Sequence, residues 1–301
     1  MKQSRKNIAI ACLLLLGCFV GSVFALRAAD ESRGKEATLE EVLYLPSSKM
    51  LKRLSLGYSG LLADIYWTRA VQYFGSKHIQ HSRRYDLLYP LLDIATDLDP
   101  HIIVAYEYGS VFLSQKPPEG AGEPDKAVAL IQKGIRENPE YWRLYFTLGF
   151  VQYIDRDDPK AAQVAFEEGS KVPGAMPWMK VMAARMAEHS KDTNTAAALW
   201  EAVLQTSSDH NVQKAAKLHL DSLRADVDIN ELERRIQIYR KRTGALPADW
   251  DVLEKAGLLN GIPLDPNREP YRLMPDGKVE VQDASKYPYL GEWLHNQVRP
   301  F

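Results

Sequence analysis

His78 and His81 stand three residues apart in "HIQH", a spacing at which two imidazoles on one helical turn can share a metal ion. No third ligand stands nearby in the sequence, and the pair falls in a polar connector, so it reads as solvated surface. "DRDDP" (Asp155–Pro159) crowds carboxylates as a calcium loop does. It separates two helical patterns, however, and there Asp158 serves as the N-cap of the second. Asp64 interrupts the apolar stretch "LLADIYW". Pairing with Arg69 or with a helix end accounts for it, and a partner contact is the other reading. "EGAGEP" contains Gly-x-Gly but follows no strand pattern, so it lacks the setting of a phosphate loop. G-x-S-x-G, H-E-x-x-H and G-K-S/T motifs are absent from the sequence. No catalytic residue, metal ligand or cofactor is assigned, and the chain is not expected to be an enzyme.

Composition narrows the partners. A formal net charge of −1 over 301 residues removes any global electrostatic case for nucleic acid. An apolar share of 46% with 26% charged residues suffices for a sizeable core. Both cysteines, Cys12 and Cys18, fall near the start, so the remainder has neither a disulfide framework nor a thiolate metal site. Residues 1–7 carry Lys2, Arg5 and Lys6 ahead of an uncharged apolar run, residues 8–26. At about 1.5 Å rise per residue that run spans about 28 Å, close to a bilayer core. The positive residues before it predict a cytoplasmic N-terminus and a body in the periplasm, anchored in the inner membrane. Three fates fit the run: a retained anchor, cleavage after Ala25 of "VFA", or lipidation at Cys18 of "LLGC". The apolar run continues past Cys18, which weighs against the last. All three export the body of the chain.

Any function must then come from the elements that follow. Residues 27–60 read as a polar linker with a leading helix, where "TLEE" offers a capping box from Thr38 to Glu41. "KMLKRLSLGYSGLLADIYWTRAVQYF" (Lys49–Phe74) has a long helical pattern, weakened at Gly57 and Gly60. Residues 61–225 contain an internal repeat. "DKAVALIQKGIRENPE", "PKAAQVAFEEGSKVPG" and "NTAAALWEAVLQTSSD" align with small residues at Ala127, Ala162 and Ala196, steps of 162 − 127 = 35 and 196 − 162 = 34. Large residues at Ile131, Phe166 and Trp200 keep the same steps, and Pro139, Pro173 and Ser208 close the copies. A partial earlier copy places Leu88, Leu92, Ala95 and Pro100 in these slots. Upstream of the three later copies lie partner helices, "IIVAYEYGSVFL", "YWRLYFTLGFVQYI" and "PWMKVMAARMAEH".

This period, with small residues where helices touch and a chain-stopper at the repeat end, resembles the tetratricopeptide repeat. The resemblance implies an α-solenoid of about four helix hairpins, preceded by one hydrophobic helix. In the family pattern the first helix carries an aromatic, then Leu-Gly, then another aromatic. Those slots here are Tyr145, Leu148, Gly149 and Tyr153. Gly149 is expected to let the second helix approach, and Tyr145 to fill the gap between repeats. The first helices of such repeats line a concave groove. By the repeat alignment Val104, Glu107 and Val111 face it, then Arg143, Phe146 and Phe150, then Trp178, Val181 and Arg185. Phe, Trp and Arg dominate interface hot spots, so the groove suits a peptide or a partner helix. A neighbouring segment of the same chain is the other occupant the sequence allows.

Residues 226–301 change character. Asp228 or Asn230 reads as the cap of a helix that Gly244 ends, followed by a short helix at Trp250–Ala256. "YRLM" and "KVEV" flank "PDG" as a β-hairpin. With "GLLNGIPLDPNREPYRLMPDG" (Gly257–Gly277), this order resembles the C-terminal region of type II secretion major pseudopilins. The prepilin-peptidase motif of that family is missing, and of its calcium loop only Asp283 and Ser285 are kept in "VQDASKYPYL". A small α+β cap on the last repeat is the expectation. The chain as a whole is expected to be a membrane-tethered scaffold that binds an envelope protein or peptide. The alternative is an accessory of a secretion or pilus-like assembly, docking through residues 226–301.

Overall fold

The structure, a computed structural model, describes residues 45–291 and, further upstream, positions 17, 20–22 and 24. The apolar run, the Thr38 capping box and both cysteines lie wholly or largely outside these residues. Among the described residues no helix is long and apolar enough to cross a membrane. The chain divides into two compact units, Met1–Leu62 and Ala63–Phe301.

The expected long leading helix is broken. Ser47 caps α1 (Ser48–Leu54), and α2 (Ser59–Ile79) starts afresh. Leu56 and Gly57 between them take φ values of 50° and 95°, outside the helical region. From Leu88 the chain alternates helix and turn. The elements are α3 (Leu88–Leu98), α4 (Ile103–Ser114), α5 (Pro124–Glu137) and α6 (Trp142–Phe150). Then come α7 (Pro159–Ser170), α8 (Trp178–His189) and α9 (Thr193–Thr206). Proline opens α5 and α7, where its missing N–H is not needed. Asp158 accepts from the Ala161 amide at 2.9 Å, the capping role its position predicts, and Asp192 does the same for Thr195 at 3.1 Å. Replacing Asp158 by alanine is expected to lower stability by about 1 kcal/mol, read from urea unfolding midpoints.

The chain is mostly helical, with α4 packed on α5, α6 on α7 and α8 on α9. Ala127, Ala162 and Ala196 are each the fourth residue of their helix, and each is fully buried. Ile131, Phe166 and Trp200, each four residues on, are also core, as are Leu88, Leu92 and Ala95 of α3. Gly149 lies under the Phe166 ring, which a Cβ there would meet at 2.6 Å. Tyr145 borders a cavity with Gln132, Ile135 and Arg136 of the preceding hairpin and packs on the core that holds Met179 of the next. Its Cβ lies over Gly169 of its own hairpin, within 2.6 Å of where a Cβ would stand. The two later hairpins differ by one residue in length: Gly149 to Ala162 is 13 positions, whereas Ala184 to Ala196 is 12. A π-helical turn at Val151–Asp155 takes up the extra residue.

The largest departure is α10 (His210–Thr243), one continuous helix of 34 residues. A helix beginning at Asp228 or Asn230 is overturned. Its first half packs Ala216, Leu220 and Leu223 against α9, and its second half buries Ile229, Leu232 and Ile236 in the C-terminal core. Gly244, at φ 79°, ends it as expected. Then come α11 (Trp250–Lys255) and the hairpin β1 (Arg272–Leu273) and β2 (Val279–Glu280), with Arg272 opposite Glu280. Gly277 takes the positive φ that the turn requires. Tyr271, Val279, Val281 and Tyr287 close this small core over α10.

Candidate functional site

Steps of three and four residues carry one face along a helix, and the first helices of the hairpins show it. Tyr108 and Val111 continue one such row on α4, and Trp142 and Phe146 another on α6. Between these helices lies a cleft of about 360 Å³, lined by Glu107, Tyr108, Val111, Trp142, Arg143, Phe146 and Thr147. Burial pushes the Glu107 carboxyl above the usual carboxylate range, and the nearby positive charge of Arg143 partly offsets this. The Arg143 guanidinium sits 5.6 Å from the centre of the Trp142 ring. A carboxylate short of compensation beside an aromatic wall suits a cationic side chain on an apolar segment.

The aromatic wall continues into the next hairpin. Phe146 meets Trp178 at 5.1 Å and Phe150 at 4.7 Å, edge to face, and Trp142 meets Trp178 at 6.3 Å. Trp178 and Val181 line a second cleft of about 510 Å³ with Met176, Lys180, Val203 and Val212.

The nine groove positions expected from the repeat are therefore not all brought together. Glu107, Val111, Arg143 and Phe146 share the first cleft, and Trp178 and Val181 the second. Phe150 lines neither, because its ring turns edge-on to the buried Phe166 at 5.4 Å. Val104 and Arg185 are exposed on their helices and line neither cleft. The repeat alignment missed Tyr108, Trp142 and Thr147. A four-residue step from Val104 to Tyr108, or back from Phe146 to Trp142, finds two of them. The other sequence candidates are structural or solvent-facing. Asp64 is exposed, and Arg69 lies over the Tyr66 ring instead of reaching for it. His78 bonds the Pro118 carbonyl at 3.2 Å.

One arrangement was invisible in the sequence. Glu188 of α8 is 1% exposed, and its Oε1 accepts from Trp200 Nε1 at 2.7 Å. The same oxygen meets Nδ1 of His219, 2% exposed on α10, at 2.8 Å. Glu188 Oε2 is buried without a partner. The imidazole is stacked between Trp200 at 4.1 Å and Tyr289 at 3.6 Å. An acid beside an imidazole is the material of proton transfer, but both groups are shut from solvent, so a substrate has no access to them. The cluster instead ties three segments together. Close by in sequence, the buried Asp226 accepts from the Gly291 amide at 3.0 Å, holding the chain after the hairpin onto α10.

No protein-family model matches the chain, and no curated protein matches it significantly.

Proposed function

We propose that this chain is a tetratricopeptide-type adaptor of the bacterial envelope that holds a segment of another protein between α4 and α6. The observation that carries the reading is the convergence of Glu107, Arg143, Trp142 and Phe146 on one open cleft. The ligand is an extended or helical segment with an apolar side chain against Trp142 and Phe146 and a Lys or Arg beside Glu107. Capturing that cation adds to the partial compensation Arg143 gives the Glu107 carboxylate, while the rings supply apolar contact. The apolar run at residues 8–26 tethers the adaptor to the membrane, which confines its search to partners at that surface.

The test is photo-crosslinking in cells, with benzoylphenylalanine at Tyr108 and, as a control, at the exposed Val164 of α7. Adducts formed at Tyr108 but not at Val164 are expected, and mass spectrometry identifies them. Glu107→Lys places like charges in the cleft and is expected to lower affinity for the identified segment at least about tenfold. Glu107→Gln is expected to lower it less, with helicity unchanged in both. Adducts that persist unchanged in Glu107→Lys overturn the reading.

A second reading has the C-terminal domain docking onto pilin-type subunits of a secretion or pilus-like assembly. It draws on Ile262 and Leu264, large apolar side chains exposed just before the hairpin. Deleting residues 226–301 would cut α10 in two, so the separating variant is Ile262→Asp with Leu264→Asp. Loss of partners there, with Glu107 intact, favours this second reading over the cleft.

A further inference from the structure

We infer that the segment Leu45–Leu62 is a docking surface for an anionic lipid bilayer, separate from the cleft and independent of its occupant. α1 buries none of its residues. Met50, Leu54, Leu56, Tyr58 and Leu61 are all exposed, Leu54 by 63% and Leu56 by 87%. Five large apolar side chains facing solvent within twelve positions are unusual unless something covers them. Charge decides what does. Leu45–Leu62 holds Lys49, Lys52 and Arg53 and neither Asp nor Glu, in a chain whose formal net charge is −1. Lys49 and Arg53 flank the face shared by Met50 and Leu54, which lie one turn apart. Their alkyl stems can follow the apolar surface while the charges reach lipid phosphates.

Apolar residues set among cations, with a tyrosine at the margin, form the pattern of a segment lying in the plane of a membrane interface. Each cation near an anionic surface strengthens binding about fivefold, so three charges and a few buried side chains suffice for reversible docking. Position in the chain adds a separate argument. Leu26, the last residue of the apolar run, stands 45 − 26 = 19 positions before Leu45. Were that run inserted in a bilayer, α1 would remain within reach of the same surface.

The experiment uses the full chain with Cys12→Ala, Cys18→Ala and Leu54→Cys, labelled at position 54 with nitrobenzoxadiazole. Vesicles of phosphatidylcholine containing phosphatidylglycerol are compared with pure phosphatidylcholine and with detergent micelles. The expected result in anionic vesicles is a blue shift, a several-fold fall in quenching by aqueous iodide, and quenching by nitroxide-bearing lipid. Lys49→Glu, Lys52→Glu and Arg53→Glu together should restore iodide quenching to its micelle value, even though residues 8–26 still hold the protein on the vesicle. Equal protection in neutral vesicles overturns the anionic surface. Protection that appears without vesicles and grows with protein concentration assigns the face to a second copy and overturns the proposal too. Unchanged iodide access in all conditions does so outright.

Discussion

Gly134→Ala and Gly169→Ala are each expected to destabilise the protein by about 1–3 kcal/mol, although alanine is the better helix former by roughly 0.5–1 kcal/mol. The two glycines occupy the eleventh position of α5 and of α7, one repeat apart. A Cβ on Gly134 would stand 2.7 Å from Cγ of Tyr106, and one on Gly169 would stand 2.6 Å from Cβ of Tyr145. Neither atom belongs to the free end of a flexible chain, so relief requires the first helix of the hairpin to move. Gly75 of α2 is the control. A Cβ there meets nothing within 4 Å, so Gly75→Ala should stabilise by about 0.5–1 kcal/mol. Urea midpoints for the three variants decide the matter. Destabilisation by the first two together with stabilisation by the third shows that the requirement is close approach and not backbone freedom.

The third hairpin shows the same rule with its terms exchanged. Val203 stands at the eleventh position of α9 and is buried. The residue one step of 35 beyond Tyr145 is Lys180, not an aromatic. Where the ring is absent from the first helix, a branched side chain replaces glycine on the second. Lys180 and Val203 then border the larger of the two clefts described above.

This explains how far the sequence could be read. The slots of α5, α7 and α9 were legible because each is a local, recurring side-chain choice: Ala127, Ala162 and Ala196 announce the same approach three times. Part of the cleft was legible for the same reason, since Glu107, Val111, Arg143 and Phe146 follow from the repeat. Phe150 lines neither cleft because its ring packs edge-on to Phe166 of α7, a contact between two helices that the spacing along one helix does not register. The continuity of α10 was hidden by residues that look like caps. Asp226, Asp228 and Asn230 are good N-cap types, yet their partners are remote or within the helix itself. Asp226 takes the Gly291 amide 65 positions away, Asp228 accepts the Tyr271 hydroxyl 43 positions away, and Asn230 donates to the Asp226 carbonyl. Only long-range packing reveals that these polar groups serve the C-terminal core rather than a helix end.

Glu188→Ala is expected to cost about 2–5 kcal/mol, because it removes the shared oxygen of a buried polar cluster and leaves its partners behind. Oε1 accepts from Trp200 Nε1, which can only donate, and pairs with His219 Nδ1 as well. Alanine therefore leaves two buried polar groups without that partner at once. Glu188→Gln keeps an oxygen for them, but in place of the unpartnered Oε2 it puts an amide group that also lacks a partner, so a smaller loss of about 1–2 kcal/mol is expected. The position of the cluster makes the second readout specific. His219 is the surface on which Tyr289 stacks, and Gly291 is fixed only two residues later, so loosening the imidazole should also loosen the chain after the hairpin. Hydrogen exchange in Glu188→Ala, under conditions where the variant remains folded, should show lost protection at residues 287–291, whereas α5 and α6 keep theirs. Asp226→Ala should reproduce that local loss through the Gly291 amide at a smaller global cost. If Glu188→Ala lowers global stability with protection at 287–291 unchanged relative to α5, the cluster serves only α8, α9 and α10, and its bridging role is wrong.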